Sequence, residues 1–556
     1  TSALQTLSTS GLINYVSPNR PTKTTGHIEY TTGATAVRSQ AATSSRAAYT
    51  LDGTGVGIAV LDSGIYAAHN AFKNSSGASR IVANVNFTTS TTTADNYGHG
   101  THVAGIAAGN ASNNGGAYRG VAPNANIVSV KVLNDSGSGQ TSWLLNGLDW
   151  VLTNKAVYNI RVVNLSLGSD AIDTYTNDPV CLKVKALVNS GIVVVAAAGN
   201  LGKDANGNKV YGRVHSPGNS PYVITVGATN TYGTGTRSDD TIATFSSRGP
   251  TRSSYTNANG VKVYDNLVKP DLVAPGNKIV SSESVNNLIA SENPLLTLPL
   301  ALLQTNADAM MYMSGTSMAS PVVTGAAALL IQDNPNLTPG MVKMILEYSA
   351  QPISGSNMLE QGAGHLNVEG AIRIANSMRT DMDFQSVALR GTSLVPAGWT
   401  APTPFTTIGG NTFPWSQLML TNQSYVTGQS LISQFQPAYK RESVFNDGVL
   451  VGDGVLVGDG VLVGDSLSLD TTNYFTTGLT VNPNVMLSNG GANGSGTVFL
   501  RSGVLVGDGV LVGDGVLVGD GVLVGDGVLL GDGVLVGDGV LVGDSLLVGD
   551  DTPAMQ

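Results

Sequence analysis

Val56-Gly57-Ile58-Ala59-Val60-Leu61-Asp62-Ser63-Gly64 is an apolar run that ends abruptly in a carboxylate and a glycine turn. A strand apolar on both faces is covered on both faces, which is the condition of a strand inside a parallel sheet. Similar runs recur at residues 127–132, 160–167, 192–197 and 223–226. Helical spacing of apolar residues lies between them, over 99–108, 142–153 and 179–189. Strand and helix in alternation give an α/β fold, a mostly parallel central sheet flanked by helices. Further along, Thr338-Pro339 reads as a cap with proline in the first turn, and Asn367 as the cap of a helix running towards Ser377. The α/β region therefore spans about 51–380, preceded by a Thr/Ser/Ala-rich arm over 1–50.

Composition narrows the function. Charged residues are 12% of the 556, about half the usual share. The formal charge of -10 speaks against nucleic acid, which needs clustered lysine and arginine. One cysteine, Cys181, excludes an intrachain disulfide and reads as a buried thiol. No apolar run is long enough to predict a membrane span.

Beyond 380 the rhythm changes. Residues 381–445 carry Pro396, Pro402, Pro404 and Pro414 and read as irregular or β-rich chain. Residues 446–556 form a β-rich region built on Gly-Val-Leu-Val-Gly-Asp. Three copies fill 448–465 and eight more units fill 503–550, with a non-repeating insert at 466–502. Valine-leucine-valine is a short strand and Gly-Asp-Gly a turn, so a period of six suits a short β-solenoid with about three units per coil. The rival reading is a low-complexity tail without a unique fold. The repeat carboxylates have no basic partner in the units and raise calcium bridging as a candidate.

Three runs in the α/β region carry chemistry. Leu61-Asp62-Ser63-Gly64 offers a carboxylate at a strand end. Gly98-His99-Gly100-Thr101-His102 offers an imidazole at a helix start. Gly315-Thr316-Ser317-Met318-Ala319-Ser320-Pro321 offers a hydroxyl at a second helix start. An imidazole can take the serine proton during attack on a carbonyl and return it to the leaving amine, while a carboxylate fixes its tautomer. A fourth run, Ala196-Ala197-Ala198-Gly199-Asn200, ends a buried strand in an amide able to donate to an oxyanion beside the Ser317 N–H. His102 follows His99 by one turn without a glutamate between them and reads as a packed core residue. His27, His69, His215 and His365 fall in no ligand-like cluster.

These runs, with Gly120-Val121-Ala122-Pro123, Phe245-Ser246-Ser247-Arg248-Gly249-Pro250 and Lys269-Pro270-Asp271 through Gly276, closely resemble the subtilisin-like serine peptidases over about residues 50–375. The resemblance implies a catalytic Asp62, His99 and Ser317, with Asn200 and Ser317 at the oxyanion. It implies a secreted serine endopeptidase that cleaves polypeptides through an acyl-enzyme and requires no cofactor for the chemistry. Ser166, Leu167, Gly168, Ala197, Ala198 and Gly199 would hold the residue before the scissile bond, with broad preference and an apolar bias. The loop at 134–139 would touch residues further up the substrate. Structural calcium is a candidate in the family, but the loop at 109–116 brings asparagines and no carboxylate. Residues 1–20 resemble the end of an inhibitory pro-segment, which implies cleavage upstream of or within the N-terminal arm. Two departures stand out: Val322-Val323 follows Pro321 where many relatives have a histidine and valine, and a long segment, 282–313, precedes the serine run. The competing expectation is a structural or adhesive module that retains a peptidase fold, with the repeats supporting self-association or surface attachment.

Overall fold

The computed structural model describes residues 27–42, 46–110, 115–258, 260–381, 395–396 and 398–421, together with short strands between 424 and 548. Its centre is a parallel sheet of β1 (Gly57–Asp62), β2 (Ile81–Asn86), β3 (Asn126–Lys131), β4 (Ile160–Leu165), β5 (Val193–Ala197), β6 (Ile224–Asn230) and β7 (Leu272–Pro275). The strand order is β7-β6-β5-β4-β1-β3-β2, and a short strand at Thr241–Ile242 pairs antiparallel with β6. The five apolar-run strands and the helices expected from sequence spacing are matched within a few residues. β2 is an addition: Ile-Val-Ala-Asn-Val-Asn at the sheet edge is only half-buried and lacks the doubly covered pattern of its neighbours.

Alternate residues of each strand enter opposite cores. Ile58, Val60, Val162, Val193 and Val195 pack on one side with α1 (His99–Ala108) and α4 (Thr316–Asp333). Ala59, Leu61, Val128, Val130, Val163 and Val194 pack on the other with α2 (Thr141–Asn154) and α3 (Pro179–Asn189). The period of two of a strand thus places one sheet between two helical layers. Side chains supply the helix starts. Asp178 accepts from the N–H of Val180 at 2.8 Å, Thr338 from Met341 at 3.2 Å ahead of α5 (Pro339–Ser349), and Asn367 from Gly370 at 3.1 Å ahead of α6 (Val368–Ser377). Cys181 is buried in α3, and burial pushes its thiol well above the usual range.

β1 is the turning point of the sheet. It pairs with β3 on one side and β4 on the other; the chain leaving β1 runs to the β2–β3 side of the sheet, and the chain leaving β3 crosses to the β4 side. A crevice opens outside the strand ends at such a point, and Asp62 is the last residue of β1. The segment 283–309 leaves β8 (Ile279–Ser282) and returns through β9 (Met310–Met313), its antiparallel partner, directly into α4. On the way, the N–H groups of Leu288 and Ile289 donate to the carbonyls of Asn96 and Tyr97, just ahead of α1. Two antiparallel hairpins follow α6, Phe405–Ile408 with Asn411–Pro414 and Leu418–Thr421 with Ser424–Thr427.

In the repeat region Gly460–Val463 pairs in parallel with Ser502–Val506, which pairs with Asp514–Val518, which pairs with Val534–Val536. Val528–Leu530 pairs with Leu546–Val548. These short pairings do not make up a continuous solenoid. Residues 1–26, most of the insert 466–502 and loop positions 111–114 lie outside the described residues. Among the described residues no helix is long and apolar enough to cross a membrane.

Candidate active site

Asp62 stands at the end of β1 with its side chain 1% exposed. Its Oδ1 accepts the Ser63 N–H at 2.8 Å and lies 2.7 Å from His99 Nδ1. His99 is the first residue of α1, and two glycines allow that approach. Gly98 holds φ at +103°, where a side chain is strained. A Cβ on Gly100 would come within 2.2 Å of the Gly64 carbonyl. Burial by itself would lower the His99 pKa. The charge and hydrogen bond of Asp62, with the charge of Asp95 behind it, outweigh burial and hold it above the ordinary imidazole value.

Asp95 escaped the sequence reading, since it sits in the polar stretch Ala94-Asp95-Asn96-Tyr97. It is 1% exposed and collects four donors. The Gly98 N–H and Ser63 hydroxyl reach Oδ1 at 2.8 and 2.7 Å, and the Thr101 N–H and hydroxyl reach Oδ2 at 2.8 and 2.6 Å. Four donors on one group describe an ionised carboxylate capping the start of α1. Its spacing before His99, three residues from the Gly98 amide it caps, is the signal that would have found it.

Ser317 is the second residue of α4 and is half-buried. Its hydroxyl donates to the Ser166 carbonyl at 3.0 Å. The Ser166 hydroxyl donates back to the Ser317 carbonyl at 2.7 Å. That carbonyl needs a partner because Pro321, one helical turn on, has no N–H to give it. Asn164 Nδ2 donates to the same Ser166 hydroxyl at 2.9 Å and fixes it. Asn200 is exposed beyond β5, and its Oδ1 accepts from the Thr316 N–H at 2.9 Å and hydroxyl at 3.1 Å. Thr316 therefore holds the carbonyl end of the amide and turns its NH2 end outward.

A groove of about 320 Å³ runs beside His99. Ser166, Leu167 and Gly168 line it, with Tyr97, Leu133, Gly137, Leu144 and Val180. Ala197 and Ala198 are 5% and 0% exposed and line none of it. His102 is fully buried, with Nε2 3.0 Å from the Met311 carbonyl and 3.1 Å from that of Ile279. Burial pushes its pKa down to about 3, so it packs as a neutral core residue. His69 is buried with Nε2 2.8 Å from the Ala309 carbonyl, and His365 lies 3.0 Å from the Asp240 carboxylate. His99 is thus the histidine brought to the crevice beside Asp62.

The sequence profile of the subtilase family matches residues 53–369. The chain belongs to the subtilase family. Serine protease AprX of Bacillus subtilis (strain 168) is 38% identical to this subtilase over 335 residues, covering 58% of this chain and 67% of that one. Subtilisin E of the same strain is 35% identical over 319 residues, covering 57% and 66%. A solved structure of a cold adapted subtilisin-like serine proteinase is 32% identical with a TM-score of 0.38, covering 57% of this chain and 88% of that one. The match thus spans about two thirds of the length of these curated relatives. Subtilases are serine endopeptidases, and the matched domain is one.

Calcium, which the family suggests, finds no fitting donor set at the described base of the 109–116 loop. The Arg80 guanidinium, 4% exposed, already occupies the carbonyls of Ala71, Ala108 and Ala125 at 2.6–2.8 Å. Among the described residues no three carboxylate, histidine or cysteine side chains converge as a metal site.

Proposed function

We propose that the whole chain acts as a secreted endopeptidase, with Asp62, His99 and Ser317 as its catalytic residues and Asn200 as oxyanion donor. The observation that carries the assignment is the 2.7 Å contact of a buried carboxylate with His99 Nδ1 at the sheet's turning point. It leaves Nε2 as the free base. In the reaction the Ser317 hydroxyl turns from the Ser166 carbonyl to His99, gives up its proton and attacks the scissile carbonyl. The oxygen becomes an oxyanion facing the Asn200 NH2 and the Ser317 N–H. His99, now protonated against Asp62, passes the proton to the leaving amine and the acyl-enzyme remains. Water, deprotonated by His99, then releases the acid. No metal is needed for any step.

The apolar side chains of Leu133, Leu144, Leu167 and Val180 along the groove support an apolar bias for the substrate residues that precede the scissile bond. Residues 446–556 act outside the chemistry, as a short stacked-strand element for stability, attachment or assembly. Two pairings support that reading, Val516 with Val534 and Val528 with Leu546, each three six-residue units apart, while Val504 and Val516 pair two units apart. Three units per coil is the step of a hexapeptide solenoid. Purified Ser317→Ala should lose hydrolysis of an unfolded casein-like substrate; activity at the wild-type rate would overturn the assignment.

A further inference from the structure

The long segment ahead of the serine run carries leucines that the fold does not bury. Residues 293–307, between Glu292 and Asp308, contain six leucines and no ionisable side chain. Leu295, Leu302 and Leu303 are 98%, 94% and 93% exposed. Leu303 also holds φ at +79°, where a leucine is strained and a glycine would serve the turn better. An exposed side chain held at a cost to the backbone points to a role outside the fold. The base of the segment, by contrast, is tied to the elements that carry the candidate catalytic groups. The Ser284 hydroxyl donates to the Asp95 carbonyl at 2.6 Å, and the N–H groups of Leu288 and Ile289 reach the carbonyls of Asn96 and Tyr97 at 2.8 and 3.2 Å. Asn287 braces that stretch: its Nδ2 donates to the Ser284 carbonyl at 2.7 Å and its Oδ1 accepts the Ala290 N–H at 2.8 Å. On the returning side the Leu298 N–H donates to the Met310 carbonyl at 2.8 Å, and β9 ends four residues before Ser317. The leucines therefore stand on a braced base that joins the approach to His99 and the approach to Ser317.

We propose that residues 293–307 form a docking surface for apolar stretches of an unfolded polypeptide substrate, outside the groove that holds the residues next to the scissile bond. The inference rests on Ser317 being the nucleophile, since that makes the adjoining groove the place where the substrate is cut. Continuity with the groove favours this occupant. Tyr97 lines the groove and its carbonyl accepts the Ile289 N–H, so a chain that leaves the groove past Tyr97 meets the segment, although residues 283–313 line no part of the groove itself. The chemistry of the surface agrees, because exposed leucines without a charge among them suit the apolar side chains that only an unfolded chain exposes. Charge at the rim weighs against an anionic bilayer. Such a surface needs lysine or arginine beside the apolar side chains, whereas here Glu283, Glu292 and Asp308 flank them and no lysine or arginine lies between Lys278 and Lys343. The length of the segment was visible in the sequence; which of its leucines stay exposed depends on how its base packs against residues 95–97.

The test measures kcat/KM of the full chain for an unfolded casein-like polypeptide and for a short peptide amide. It compares wild type with the triple variant Leu295→Ser, Leu302→Ser, Leu303→Ser and with Leu303→Gly. The triple variant should lower the polypeptide-to-amide ratio about 10-fold or more, through KM for the polypeptide. Leu303→Gly should lower the ratio about 3-fold without lowering the thermal unfolding midpoint, because glycine fits that φ. A ratio unchanged in the triple variant would overturn the proposal, and so would a lower midpoint with an unchanged ratio in Leu303→Gly, which would make the side chain structural. If the triple variant does not fold, Leu303→Gly decides alone. Sedimentation of wild type and variants, with and without phosphatidylcholine vesicles, tests the other occupants: leucine-dependent dimers or vesicle binding with an unchanged ratio would give the surface to a second copy or to a bilayer and refute the proposal. Fluorophosphonate labelling keeps the two readings apart. Ser317 labelled in every protein with an unchanged ratio refutes the docking surface alone, whereas unlabelled folded wild type refutes the nucleophile and the docking surface with it.

Discussion

As the proposed general base, His99 must be neutral to act, so on this account its pKa sets the acid limb of activity. With Asp62 at 2.7 Å and Asp95 adding charge, that pKa lies above the ordinary 6.5. Activity is present above this value and is lost as pH falls through it. The groups facing the ring are Asp62, Asp95, Tyr97 and His102, with the Lys131 ammonium on the Ser63 and Ala94 carbonyls at 2.6 and 2.8 Å. Asp95→Asn removes one negative charge and keeps the shape, so the acid limb of kcat/KM should move to lower pH. An unmoved limb in a folded variant would show that Asp95 acts only as a helix cap.

Between elements, the joint of β4 and α4 is held by the two-way contact of Ser166 and Ser317. Ser166→Ala leaves the Ser317 carbonyl without a donor, because Pro321 cannot supply one. The loss should be about 1–3 kcal/mol, read as a lower thermal unfolding midpoint. Pro321→Ala in the same chain restores an N–H and should recover part of it; strictly additive losses would refute the joint. Much of this framework was legible beforehand. Helices α1 and α3 begin and end as their spacing predicts, and Thr338 and Asn367 cap where their side chains allow. What stayed hidden was set by tertiary partners. β2 is half polar because it lies at the edge, and Asp95 comes to lie behind His99 only because Ser63 and α1 fold onto it. Ala197 and Ala198, expected beside substrate, are buried where β5 ends, 5% and 0% exposed.

For the whole molecule, catalysis and the repeat region are separable. The candidate catalytic groups all lie between Asp62 and Ser317, and the repeats bring only Val, Leu, Gly, Asp and Ser. Deleting 446–556 should leave turnover of a small peptide amide nearly unchanged while altering stability or oligomeric state. A loss of about 100-fold in a folded deletion protein, or about 2.7 kcal/mol of transition-state stabilisation, would make the tail part of the active site. The most direct test of the central claim, that Ser317 is a nucleophile activated by His99 and Asp62, is covalent labelling of the folded full-length chain with a fluorophosphonate, read by peptide mass. The account predicts one adduct, on Ser317, with fluoride displaced and the rate falling on the acid side as His99 protonates; an unlabelled folded protein, or an adduct on another residue, would contradict it.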